Sequence, residues 1–452
     1  MSEIYILFLL SILCVSASVL VWYRTRQLGA ITTLGFVYYF SLYGAWAIIS
    51  SKSSGVFASW WYLESRLVNI ELGAPYTLSL LYYAAFFICV ALPFLATPKP
   101  PKSDFQPINV SLFRFGLIGW CAIGVSYLLV ERALGVAFDM GVSGYSITRF
   151  DRSLSLVFGI HQLLNQLGLL CFSSGLAVWF SALPEPVILR PVVRRWPYLL
   201  VLIAGLVAGL WFNYALGNKH PLLIALISAA LLFEANTRGK RRKSLIIVCL
   251  ISLGAIGAVN IVRGLPIQEI PSFVSNLSIE NLSDVYGSVS SSVEKIAAHV
   301  SMYAVLQNNV PPAYGGSIIP LLSSAIPRFI WPDRPEGIYG YYADSISAVS
   351  GQGYTIHHAT GWYLNFGLIG VLVGGYVLGY ILVKIIYSQP RFINSNSFAK
   401  RSFTALAPYM SVAMVPALMR NGIEGYKSFF VEGLLLPMIL VMLVSRKAEC
   451  SK

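Results

Sequence analysis

Residues 362–387 read WYLNFGLIGVLVGGYVLGYILVKIIY, twenty-six positions in which Lys384 is the only charge. About 20 apolar residues of helix are enough to cross a hydrocarbon core ~30 Å thick, so this stretch predicts a membrane span, Trp362–Tyr387. Ten further stretches read the same way: Ile4–Tyr23, Leu28–Ser50, Pro75–Ala96, Leu112–Val130, Leu154–Phe180, Tyr198–Ala215, Pro221–Glu234, Ser244–Val262, Phe403–Leu418 and Phe429–Val444. Across the 452 residues 56% are hydrophobic and only 11% charged, against about 25% charged in ordinary soluble domains. That charge cannot cover the surfaces of two or three soluble domains. The expected fold is an all-α integral membrane protein of about 11 transmembrane helices. The expected division is 1–262 for the first eight spans, 263–361 for one large outer loop, and 362–452 for the last three spans and a short tail.

The chain carries 32 Lys and Arg against 19 Asp and Glu, a net charge of +13. In a soluble protein this would point to nucleic acid; in a membrane protein positive residues collect in cytoplasmic loops and set orientation. The first apolar run has Glu3 before it and Arg24 and Arg26 after it. It reads as a retained helix with its N-terminus outside, not as a cleaved signal. Alternating sides from there puts twenty of the positive residues and only four of the acids on the cytoplasmic face, among them the run Arg238–Lys243. Nucleic acid is therefore not invoked as a partner; the lipid bilayer is. Of the six cysteines, five fall in spans and Cys450 in the tail, which excludes a disulfide framework and a zinc site.

The stretch 263–361 is the informative one, because a connection this long is usually functional. In Asp284–Gln307, Val285, Val289, Val293, Ile296, Val300 and Ala304 recur at three- and four-residue spacing. That predicts an amphipathic helix lying on the membrane, roofing a cavity or packing on the bundle. Tyr314–Trp331 contains Gly315, Gly316, Pro320 and Pro327 and is expected to be interfacial or re-entrant, not a twelfth span. The prolines around Arg328 and Arg334 make a rigid strap, and a restrained guanidinium suits bidentate contact with phosphate or with lipid headgroups. Together with Lys219 in the sixth–seventh turn, Arg263 at the end of span 8 and Arg420 at the end of span 10, these cations are candidates to hold a diphosphate. Snorkelling at the interface is the alternative for them.

His357 and His358 close the loop, and histidines in an aqueous pocket are candidates for a general base, His358 ahead of His357. Two adjacent histidines without a nearby carboxylate make a poor metal site, so neither metal nor cofactor is expected. His161, Gln162, Asn165 and Gln166 in span 5 predict interhelical hydrogen bonds or the lining of a polar cavity. Glu432, one turn into the last span, is a candidate partner of Arg420 or Lys427.

Three runs carry a family likeness: Tyr314-Gly315-Gly316-Ser317; Ile326-Pro327-Arg328 with Trp331-Pro332-Asp333-Arg334-Pro335; and Gly361-Trp362-Tyr363-Leu364-Asn365-Phe366-Gly367-Leu368-Ile369-Gly370. With many spans and one large late loop, the chain resembles the Wzy-type O-antigen and polysaccharide repeat-unit polymerases. The turn Gly217-Asn218-Lys219 is similar to a small-residue-then-cation turn of that family, where arginine is more usual. The resemblance implies a GT-C-like glycosyltransferase of the bacterial inner membrane, N-terminus periplasmic and C-terminus cytoplasmic. It would move the growing glycan from undecaprenyl diphosphate onto the non-reducing end of the next lipid-linked repeat unit. It also implies a Wzz-type chain-length regulator as a partner, and stacking of Tyr354, Trp331 and Tyr363 on sugars. The alternatives are an O-antigen ligase acting on lipid A–core and, in a different class, a flippase of lipid-linked oligosaccharides. A transporter should show paired halves or ionisable residues along a midplane path, and no internal repeat is visible.

Overall fold

The computed structural model describes residues 2–46, 48–49, 72–98, 107–133, 154–181, 188–216, 218–237, 293–323, 331, 335, 337–346, 355–388 and 397–445. Helix α1 spans Ser2–Thr25; α2 spans Leu28–Tyr38 and runs on through a π turn at Tyr39–Tyr43; α3 spans Ala74–Ala96. Strand β1 (Ile108–Val110) leads into α4 (Leu112–Leu128), capped by the Ser111 side chain, which accepts from the Arg114 N–H. Next come α5 (Ser155–Ser181), β2 (Leu189–Pro191), α6 (Trp196–Ala215) and α7 (His220–Asn236). The later part of the chain supplies α8 (Val293–Gln307), α9 (Ile318–Ser323), α10 (Ile338–Ser345) and α11 (His358–Ile386). It ends with α12 (Phe398–Ala413), α13 (Val415–Arg420), α14 (Gly425–Ser428) and α15 (Leu436–Val444).

Among the described residues eight helices are long and apolar enough to cross a membrane, which makes the chain a multi-pass, all-α membrane protein. They correspond to eight of the eleven expected spans. The seventh, as the helix His220–Asn236, is apolar but shorter, and Ser244–Val262 lies outside the described residues. The tenth is corrected. Phe403–Leu418 is not one helix, because α12 ends at Ala413 and a new helix starts at Val415 with Pro416 in its first turn. Proline has no N–H for the preceding turn, so its natural place is such a helix start.

The chain forms two compact units: Met1–Pro100, Ser292–Tyr387 and Met414–Phe430 in the first, and Pro101–Ser291, Ser388–Ala413 and Val431–Lys452 in the second. The reason is that helices far apart in sequence bury each other's faces.

In the second unit, β1 and β2 pair in parallel, and Val110 also bridges Ser445. Asn236 fastens this clasp: its Oδ1 accepts from the N–H groups of Ile188 and Leu189 at 2.8 and 3.1 Å. The polar patch of span 5 makes the expected interhelical bonds. Asn165 and Asn213 exchange amide hydrogen bonds at 2.7 and 2.9 Å, and Ser126 Oγ lies 2.7 Å from His161 Nδ1.

In the first unit, α11 packs on α3 at very short range: a Cβ at Gly375 would lie 2.7 Å from the Phe86 carbonyl, and one at Gly379 2.3 Å from that of Val90. Glycine permits the approach, as small residues do between membrane helices. The other end of α11 is broken. Phe366 and Gly367 leave the helical region, with Gly367 at φ 61, ψ −147, which only glycine adopts without strain. A Cβ on Gly370 would lie 2.3 Å from the Trp362 carbonyl, whereas eight residues of straight helix span about 12 Å. The chain therefore folds back at Gly367, and the span expected from Trp362 runs instead from 368.

Of the placements expected for the helix in 284–307, the described part takes the one that packs on the bundle. Residues 284–292 lie outside the described residues, and α8 is buried on every side from Ala298 to Val305. Buried in this way, α8 packs against the π turn after α2 and against α3, α11 and α13.

Candidate functional site

The first unit gathers three of the chain's five histidines into its core. His299 arrives on α8; His357 and His358 arrive at the start of α11, where His357 is the N-cap. All three are fully buried. This overturns the expectation of an aqueous pocket. In a buried setting every ring nitrogen needs a partner, and each has one.

The partners fix the tautomers, because carbonyls only accept and amide or indole N–H groups only donate. His299 Nδ1–H donates to the Ser41 carbonyl at 2.5 Å, so its Nε2 accepts from the Tyr76 hydroxyl at 3.3 Å. His357 Nδ1 accepts from the Ala359 N–H at 3.1 Å, capping α11, and its Nε2–H donates to Ser41 Oγ at 3.2 Å. Ser41, in the π turn after α2, thus serves two imidazoles with one residue. His358 Nδ1–H donates to the Gly422 carbonyl at 2.8 Å; its Nε2 accepts from Trp362 Nε1–H at 3.2 Å and from the Tyr426 hydroxyl at 3.1 Å.

All three imidazoles are neutral in this arrangement. Burial pulls His299 down to about 4. Burial, reinforced by neighbouring His358 and His299, holds His357 well below the usual histidine range. Around them Tyr83 donates to the His299 carbonyl at 2.7 Å, and Ser301 Oγ accepts from the His357 N–H at 3.0 Å and meets Thr360 Oγ1 at 2.9 Å. The Tyr83 ring stands edge-on to His357, with centroids 4.6 Å apart.

A second chain segment closes on the two adjacent histidines. Ile356 N–H donates to the Arg420 carbonyl at 3.2 Å, and Gly422 N–H donates to the Ile356 carbonyl at 2.8 Å. Gly422 sits at φ 55, and a Cβ at Gly361 would lie 2.9 Å from the Ile423 nitrogen. Two residues beyond Gly422, Glu424 Oε1 accepts from the Ile338 N–H at 2.7 Å and so caps α10. The backbone of half-buried Arg420 is thereby joined to Ile356, the residue before His357 and His358, across more than sixty residues of sequence.

Two of the runs that carry the family likeness also meet. Ser317 Oγ donates to Asn365 Oδ1 at 2.7 Å, Asn365 Nδ2 donates to the Gly361 carbonyl at 2.7 Å, and Ala313 N–H donates to the Leu364 carbonyl at 2.6 Å.

Of the seven expected site residues, His357, His358 and Arg420 come together in the first unit. Lys219 belongs to the second unit, where it precedes α7, and Arg263, Arg328 and Arg334 lie outside the described residues. Tyr354 lies outside them too, while Tyr363 packs near Tyr82 at 5.6 Å between centroids and Trp331 is 40% exposed.

Reading the sequence alone missed Ser41, Tyr76, Tyr83, Ser301, Thr360 and Tyr426. Their signal was available in principle: an isolated hydroxyl on an apolar helix must find a partner inside the protein. Among the described residues no group of three or more His, Cys, Asp or Glu is placed to hold a metal ion. No family model, no curated protein and no solved structure matches this chain.

Proposed function

We propose that the chain is a bacterial inner-membrane glycosyltransferase that polymerises lipid-linked polysaccharide repeat units at the periplasmic face. The observation that carries this reading is the backbone pairing of Ile356–His358 with Arg420–Gly422, which brings an arginine-bearing segment against the segment of two histidines. The meeting of Ser317 with Asn365, from two separate runs of the family likeness, supports it as well.

In this reading the anomeric carbon–oxygen bond to undecaprenyl diphosphate breaks, and the diphosphate leaves with the bonding pair. Arg420 takes part in stabilising that charge, with Lys219, Arg263, Arg328 and Arg334 as the further candidates. The hydroxyl at the non-reducing end of the next repeat unit attacks, and its proton passes to a base. His358 is the candidate, then His357. The lone pair of His358 is engaged by Trp362 and Tyr426 at rest, so the reaction requires both donors to withdraw from it when substrate arrives. A Wzz-type chain-length regulator is the proposed partner.

The test is surface polysaccharide on a gel after deletion of the gene. Core bearing a single repeat unit is the expected result. Polymer held on its carrier, with bare core, identifies a ligase instead; repeat units trapped on the cytoplasmic face identify a flippase. At normal protein level, His358→Ala and Arg420→Ala should each abolish the polymer ladder. A full-length ladder from His358→Ala places the base elsewhere.

A further inference from the structure

Helix α9 presents two of its apolar residues, Ile319 and Leu322, outward. Pro320 and Ser323 are buried, while Ile319 is 62% exposed, Leu322 71% and the preceding Tyr314 83%. That is the reverse of a helix that faces water on its free side.

The neighbouring span supplies a depth gauge. Its outward stripe runs Ile369, Leu372, Val373, Tyr376 and Tyr380, all exposed and at three- and four-residue spacing, and ends where Lys384 Nζ stands 5.0 Å over the Tyr380 ring. A lysine folded over an interfacial aromatic marks one edge of the hydrocarbon core. From Lys384 back to Leu368, where the straight helix starts, the rise is about 24 Å, most of one hydrocarbon thickness, so Phe366, in the break just before it, stands near the opposite edge. Phe366 is 41% exposed, and its ring would lie 3.3 Å from a Cβ on Gly315. The turn before α9 is thus tied to the outer end of the lipid-facing stripe, and Ala313 N–H, bonded to the Leu364 carbonyl, ties it a second time.

We propose that Tyr314, Ile319 and Leu322 form a foot inserted into the bilayer surface at the end of the span opposite Lys384. Its occupant is lipid: acyl chains against Ile319 and Leu322, and the headgroup region around the Tyr314 hydroxyl. The foot fixes the depth of Ser317, and through it of Asn365, relative to the membrane. This inference stands whether or not the chain is a polymerase.

The test uses the full chain, with its native cysteines replaced, reconstituted in phosphatidylcholine vesicles. An environment-sensitive fluorophore is attached at Leu322→Cys, and in a second protein at Gln307→Cys, an exposed polar position at the end of α8. The expected result at position 322 is strong quenching by lipids brominated high on the acyl chain, with iodide quenching at least fivefold weaker than at 307. Iodide quenching at 322 equal to that at 307 overturns the proposal. Shielding of 322 from both quenchers also overturns it, since protein and not lipid would then cover the helix. A further variant, Leu322→Asp, removes the apolar contact at an exposed position. It should reduce bromolipid quenching of a probe at Ile319→Cys at least twofold with unchanged protein yield; unchanged quenching counts against the foot.

Discussion

Ser317 Oγ and Asn365 Oδ1 lie 2.7 Å apart, both residues buried, and the bond joins the glycine turn at 315–316 to the first, folded-back segment of α11. Asn365 also donates to the Gly361 carbonyl, so one amide holds both sides of the junction. Replacing Asn365 by Leu strands a hydroxyl and a carbonyl in a buried place, at a cost of about 1–3 kcal/mol. Ser317→Ala leaves the amide oxygen its longer bond from the Ser317 N–H, at 3.4 Å, and should cost less, about 1 kcal/mol or below. Thermal unfolding of the purified protein in detergent should rank the two in that order. Equal melting temperatures would remove the junction from the argument.

Gly367 is the hinge of the fold-back. Gly367→Ala should destabilise by about 1–3 kcal/mol, because φ 61 with ψ −147 is closed to a residue with a Cβ. The control is Gly159→Ala in α5, where an added Cβ meets nothing within 4 Å. There alanine should be neutral or stabilising by up to about 1 kcal/mol. Melting temperatures of the two variants, read side by side, separate backbone strain from a general intolerance of alanine.

The buried histidines give the first unit a one-sided response to pH. His299 has its folded value lowered from 6.5 to about 4, so the unfolded chain binds the proton more readily. The stabilisation is complete above about pH 6.5 and is lost as pH falls towards 4. At pH 5 the loss from His299 alone is about 2 kcal/mol by linkage. His299→Gln should be less stable than the parent at pH 7.5 yet lose less on acidification, measured by melting temperature between pH 7.5 and 4.5. Parallel curves for the two proteins would show that His299 does not titrate on unfolding.

Asn165 and Asn213 exchange two hydrogen bonds between α5 and α6. Each single change to Leu should cost about 0.6–2 kcal/mol, since it takes both interhelical bonds from the partner amide in an apolar setting. The double change should cost less than the sum, because nothing is then left unpaired. Additive costs would mean that the pair contributes nothing as a pair.

Some of this was legible along the chain. Eight spans, the tight pair α6–α7, and the interhelical role of Asn165 followed from apolar runs and polar exceptions, which are local properties. The break in Phe403–Leu418 was also written in Pro416, although hydropathy averages passed over it. The fold-back at Gly367 was not readable, because a glycine in an apolar helix more often marks close packing, as Gly375 and Gly379 do here.

The site divides in the same way. The sequence by itself determined that this is an all-α membrane protein, and it pointed to His357, His358 and Arg420 as residues of interest. Hydrophobic transfer depends on composition within about 20 residues and needs no tertiary contact. Only the tertiary structure decided that the histidines are buried and neutral, and that Ser41 and Tyr426 hold them. It alone joined the Arg420 backbone to Ile356, next to them in the chain, across more than sixty residues. Hydrogen-bond partners and desolvation depend on which distant helix packs alongside, and no local pattern records that.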